Sequence, residues 1–74
     1  MNKDIFMKRL GENLARVRKE NNMTQVQLAE KCNKKKQSIN RLEVGEMCPT
    51  AFYLYELAKA LNVSISELVE FNTD

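Results

Sequence analysis

Apolar residues recur three and four positions apart along almost the whole chain, and no stretch alternates with period two for long. That spacing buries one stripe of a helix, so a chain built this way folds as packed helices. Phe6, Leu10, Leu14 and Val17 give one face of a first helix that closes near Asn21-Asn22. Thr24 with Gln27 three residues on is a capping box, and it opens a second helix with Leu28, Ala29 and Cys32 inward. Asn33 tolerates the left-handed conformation and breaks that helix. A third helix is expected from about Lys35 to Val44, ended by Gly45. Its inner side carries Ser38, Ile39 and Leu42, and its outer side Lys36, Gln37, Asn40 and Arg41. Thr50, after Pro49, caps a fourth helix lined by Leu54, Leu57, Ala58 and Leu61, and Asn62 stops it. "SISE" at 64–67 is a second capping box, which places Ile65, Leu68 and Val69 inward on a short fifth helix. The expected fold is all-α: a compact five-helix domain with short connections.

Seventy-four residues suffice for one small domain, residues 1–74, near the lower limit for a self-sufficient core. Two glycines and one proline, spread apart, leave no linker to a second domain. The longest uncharged apolar run, Ala51 to Tyr55, is far too short for a bilayer, and nothing marks secretion, so a cytoplasmic location is expected. Cys32 and Cys48 could in principle pair, but without a secretory signal they read as reduced thiols, with Cys32 buried in the core. There is no histidine, too few cysteines for zinc, no glycine-rich phosphate loop and no nucleophile with a base beside it. Neither a metal, a cofactor nor an enzymatic activity is expected.

Charge is distributed unevenly. Residues 1–41 hold eleven Lys/Arg against four acids, and residues 42–74 hold Lys59 against six, within a net charge of +2. Such asymmetry suits a chain whose first half meets a polyanion. The stretch "NKKKQSINRLEVGE" sharpens this, because Lys34, Lys35 and Lys36 stand at a helix N-terminus, where the helix dipole disfavours cations. A lysine run is ordinarily a solvated face. Here it is followed by Lys36, Gln37, Asn40 and Arg41, whose donors and acceptors match guanine and adenine edges in the major groove. Two helices separated by a tight turn form the helix-turn-helix arrangement, about residues 24–43, in which the second presents its N-terminal residues to the bases. In a complex, the lysines and the helix dipole then address the same phosphates.

From Leu10 to Leu68 the chain resembles the helix-turn-helix domain of the phage repressor and Cro type, also called the xenobiotic response element family. The segments that carry the likeness are "LGENLARVRKENNMTQVQLAEK", "SINRLEVGEMCPT" and "LYELAKALNVSISEL". The resemblance implies that Lys36, Gln37 and Arg41 touch bases, with Asn40 close by. It further implies that Gln25 anchors a phosphate and braces the third helix, and that Arg18 and Glu43 form a salt bridge between helices one and three. Lys34 and Lys35 are placed as further phosphate contacts. Four positions depart from the family pattern: Asn33 replaces the turn glycine, Lys34 an apolar turn residue, Lys35 the Ser/Thr cap, and Glu46 the basic residue often found after the motif.

Phe52, Tyr53, Tyr55 and Phe71 are more aromatic surface than a small core requires, and aromatics favour interfaces, although each could also pack inside. The resemblance implies dimerisation through helices four and five, about residues 50–71, which would set two copies on half-sites roughly 34 Å apart. The expected function is a homodimeric, sequence-specific regulator of transcription, a repressor on a two-fold symmetric operator of double-stranded DNA. The rival is an antitoxin or bridging module that works mainly by binding a toxin or another protein through its aromatic half.

Overall fold

The computed structural model describes residues 1–71, and residues 72–74 of the expected domain lie outside them. Five helices follow in order: α1 (Lys3–Glu20), α2 (Gln25–Cys32), α3 (Lys36–Glu43), α4 (Ala51–Leu61) and α5 (Ile65–Val69). There is no strand among the described residues. α1 packs against α3 and α5, α2 against α3 and α4, and α4 against α5. The core gathers Leu14 and Val17 of α1, Leu28, Ala29 and Cys32 of α2, Ile39 and Leu42 of α3, Leu57, Ala58 and Leu61 of α4, and Leu68 of α5. No described helix is long and apolar enough to cross a membrane.

Each helix but one starts on a side-chain cap. Asn2, Thr24, Thr50 and Ser64 accept from the backbone N–H three residues on, and Thr24 and Ser64 complete capping boxes with Gln27 and Glu67. α3 is the exception: Lys35 occupies its N-cap and makes no side-chain bond.

The helix ends repeat one device. Asn22, Asn33, Gly45 and Asn62 all take positive φ. The N–H of the next residue then reaches five residues back, from Met23 to Arg18, Lys34 to Ala29, Glu46 to Arg41 and Val63 to Ala58, at 2.8–3.2 Å. This is the Schellman turn, and it satisfies carbonyls that the helix end would leave bare. Asparagine replaces glycine at three of these four turns because its short polar side chain lowers the cost of the left-handed region.

Three expected positions differ. Tyr53, read as an interface aromatic, is buried in the α4 core face, while Leu54, expected inside, is only partly covered. The burial of its ring is stabilised because its hydroxyl finds a partner in Ser38. Ile65 stands 40% exposed although it was expected inward, since a five-residue helix needs only Leu68 to dock. Phe6 and Phe71 pair with each other, ring centroids 5.7 Å apart, closing the N-terminal part of α1 against the segment after α5.

Two features set the helix spacing. Gly11 lies where α1 crosses α3, and a Cβ there would sit 2.3 Å from the Leu42 carbonyl oxygen and 2.5 Å from that of Glu43. Asn13, buried on α1, donates through Nδ2 to the carbonyls of Glu67 and Leu68 at 3.0 and 2.8 Å, tying down α5. Its Oδ1 accepts from Arg16. Helix propensity alone would credit Gly11→Ala with about 1 kcal/mol of stabilisation. The close crossing reverses that sign, so the substitution should destabilise by about 1–3 kcal/mol. Thermal unfolding followed by circular dichroism should show a lower midpoint, and a raised one would mean the crossing is looser than described.

Candidate nucleic-acid interface

The outer face of α3 follows from the burial of its inner one. With Ile39 and Leu42 against the core, Lys35, Lys36, Gln37, Asn40 and Arg41 are all left exposed. An open groove of Asn33, Lys34, Lys35, Gln37, Ser38 and Arg41 runs beside them. The structure therefore brings the four candidate base-reading side chains and Lys35 to one surface. The helix is about 12 Å long at 1.5 Å per residue and of a diameter the major groove accepts.

The one acid within α3 is withdrawn from that face. Glu43 receives Arg18 in a two-bond pair, Nε to Oε2 at 2.6 Å and Nη2 to Oε1 at 3.0 Å, with both side chains less than 10% exposed. The third guanidinium nitrogen donates to the Met23 carbonyl at 2.7 Å, in the turn before α2. Gln25, in the first turn of α2, donates to the same Glu43 oxygen at 3.0 Å and to Asn40 Oδ1 at 3.3 Å. One carboxylate thus joins α1, α2 and α3, and Gln25 and Asn40 are held in place at its edge. Gln25 is half-buried beside Asn40, so it borders the α3 face as well as bracing it.

Lys34 departs from the other lysines. Its ammonium lies 3.3 Å from Glu56 Oε1 and 4.8 Å from the centre of the Tyr53 ring, both on α4. Beneath it, Cys32 is buried, and burial followed by the Glu56 charge pushes its thiol pKa up, outweighing the lowering effect of Lys34. The protonated thiol is a poor nucleophile. Cys48 is exposed, and neither cysteine is bridged.

The remaining aromatics divide. Phe52 and Tyr55, three residues apart on α4, stack at 6.1 Å and stand 66% and 46% exposed, with Lys59 over the Tyr55 ring at 5.6 Å. Phe71 is half-buried against Phe6. Of the four proposed interface aromatics, Phe52 and Tyr55 form a surface patch, while Tyr53 belongs to the core.

Residues 14–68 match the family model described as Helix-turn-helix, HTH_3. The chain belongs to the helix-turn-helix family. A family member from Sinorhizobium fredii, the uncharacterized HTH-type transcriptional regulator y4dJ, is 44% identical over 62 residues, covering 84% of this chain and 80% of that protein. Among solved structures, the restriction-modification controller protein C.AhdI from Aeromonas hydrophila superposes with a TM-score of 0.82 at 22% identity, over 84% of this chain and 94% of its own. The clp gene regulator ClgR from C. glutamicum gives 0.81 at 24% identity, over 85% and 82%. At those identities the two structures establish a shared helix-turn-helix fold.

The family likeness paired Arg18 with Glu43 and gave Gln25 as a brace of α3, but it did not place Met23 and Asn40 on the same cluster. The spacing of Gln25, Asn40 and Glu43 carries no signal of it, since they come from two helices. Removing one buried charge strands the other. Arg18→Ala should therefore lower unfolding free energy by about 3–5 kcal/mol, measured by urea titration. The double replacement Arg18→Met with Glu43→Leu should recover most of that loss. A single replacement costing under about 1 kcal/mol would mean that solvent screens the pair.

Proposed function

We propose that this helix-turn-helix protein is a sequence-specific, homodimeric repressor of transcription that lays α3 in the major groove of a two-fold symmetric operator. One observation carries the reading: the exposed face of α3 holds Lys35, Lys36, Gln37, Asn40 and Arg41, while its single acid, Glu43, is buried and neutralised by Arg18. A solvated helix face of no further purpose would mix in carboxylates; this one presents donors and amides alone, the set that matches guanine and adenine edges. The names of its relatives, a transcriptional regulator, a controller protein and a gene regulator, support the same class of function.

Within this reading, Lys36, Gln37, Asn40 and Arg41 contact bases, and Lys35 and Gln25 contact phosphates. The uncapped start of α3 points its N–H groups at the same backbone, where phosphate oxygens complete what no side chain supplies. Occupying a promoter suffices for repression. Helices α4 and α5 carry the self-association, with the exposed Phe52–Tyr55 stack as its centre. The same stack favours the second reading, a bridging or antitoxin module, in which it docks on another protein. A partner that co-purifies in fixed ratio and blocks self-association would favour that module.

Gln37→Ala should weaken the preferred site by about 1–3 kcal/mol and relax the preference at one base pair. Lys35→Ala should weaken preferred and random duplexes alike and flatten the slope of log K against log salt by about one. Fluorescence anisotropy over a salt series reads both. Identical behaviour of the two variants on preferred and random DNA would contradict these roles.

A further inference from the structure

The turn between α2 and α3 contains a lysine where the Schellman geometry ordinarily packs an apolar side chain. Lys34 is the residue after left-handed Asn33, and its N–H returns to Ala29 at 2.8 Å. At the equivalent place in the turns after α1 and α4, Met23 and Val63 pack on the core. Lys34 takes this place with its ammonium, which lies over the Tyr53 ring and against Glu56.

Tyr53 passes this contact on. Its hydroxyl and that of Ser38 share a 2.6 Å hydrogen bond. Ser38 immediately follows Gln37 and precedes Arg41 by one turn of α3, so this bond sits under the base-reading residues. Burial, the largest influence on the Tyr53 phenol, raises its pKa, so its hydroxyl keeps its proton at neutral pH.

α3 is thus pinned at two places. Glu43 holds its C-terminal end to α1 and α2, and Ser38 holds its N-terminal half to α4. The pins are five residues apart, about 7.5 Å along the axis. The burial of Ile39 and Leu42 sets which face of α3 turns outward, and the two polar pins hold its rotation within that packing. Base recognition needs that precision, since a two-bond contact to a base edge tolerates errors of only about 0.5 Å and 10–20°.

We infer that Tyr53 is a positioning residue for base recognition, setting the rotation of α3 through Ser38, and that Lys34 and Glu56 brace Tyr53, so that Lys34 serves this bracket in place of a DNA phosphate. This rests on the reading of α3 as the DNA-reading helix. It reassigns one of the expected phosphate contacts to the fold and gives the buried aromatic of α4 a part in specificity.

The test uses the full chain with two duplexes: the best-bound sequence recovered from a random pool, and the same duplex with single base pairs changed. Tyr53→Phe removes one hydroxyl and keeps the ring. It should lower the affinity ratio of best to altered duplex by about three- to tenfold, the range of one net hydrogen bond. Affinity for random DNA and its salt slope should stay unchanged. Ser38→Ala should reproduce the effect from the other side, and the double variant should add nothing further, which keeps the test usable if either single variant folds poorly. Lys34→Gln should leave the salt slope unchanged.

An unaltered affinity ratio in both hydroxyl variants, or an equal loss on all duplexes, would overturn the positioning role. A slope reduced by about 0.9 in Lys34→Gln would return that lysine to the phosphates and overturn its part of the bracket. If the unaltered protein itself shows no preference among duplexes, the DNA-reading proposal fails first. A clear preference left intact in Tyr53→Phe and Ser38→Ala removes the present inference alone.

Discussion

The two-bond ion pair between Arg18 and Glu43 is the interaction that holds α1, α2 and α3 in register. It connects the last turn of α1 to the last residue of α3, and the spare nitrogen of Arg18 fixes the turn before α2 through the Met23 carbonyl. Gln25 then ties α2 to the same carboxylate. Burying two charges contributes little net stability, since desolvation offsets most of the attraction. What it supplies is geometry: a guanidinium fork donates to a carboxylate in few orientations, so α3 cannot slide along α1 without breaking two bonds at once. Gly11 makes this possible by letting the two helix backbones approach to a distance no Cβ would allow.

Around that junction, the chemistry of α3 divides by face. Its inner side is Ile39 and Leu42, fully in the core. Its junction edge spends Glu43 on Arg18, which leaves an outer face with positive and amide groups only. The helix start carries lysine where its neighbours carry Thr or Ser caps. In the free protein this is a local cost against the helix dipole. A polyanion reverses the sign, which is why the feature belongs with the proposed DNA complex and not with the stability of the monomer.

Much of this was legible in the sequence because it is local. Helix starts are written in Thr24, Thr50 and Ser64, helix ends in Asn33, Gly45 and Asn62, and inner faces in leucines three and four apart; capping and periodicity act within one turn. What escaped is non-local. Tyr53 looks like surplus aromatic surface until Ser38 arrives from another helix to satisfy its hydroxyl. Gly11 looks like a weak helix position until α3 crosses it, and Asn13 looks like a solvated polar residue until α5 offers two carbonyls. Lys34 carries the same lesson for the candidate site. The sequence placed Lys34 with Lys35 on phosphates, yet Glu56, more than twenty positions on, gives Lys34 a structural partner. All three lysines stand exposed, and what sets Lys34 apart is its ion pair with Glu56.

In the proposed function, the outer face of α3, presented twice by a symmetric pair, reads DNA sequence. Selecting the purified chain against a pool of random duplex DNA at near-physiological salt tests it most directly. Enrichment of a two-fold symmetric sequence whose half-sites lie one helical turn, about 34 Å, apart is the expected result. Binding that vanishes with modest added salt and enriches no sequence would contradict it, and would leave the exposed Phe52–Tyr55 stack of α4 as the surface that carries the protein's work.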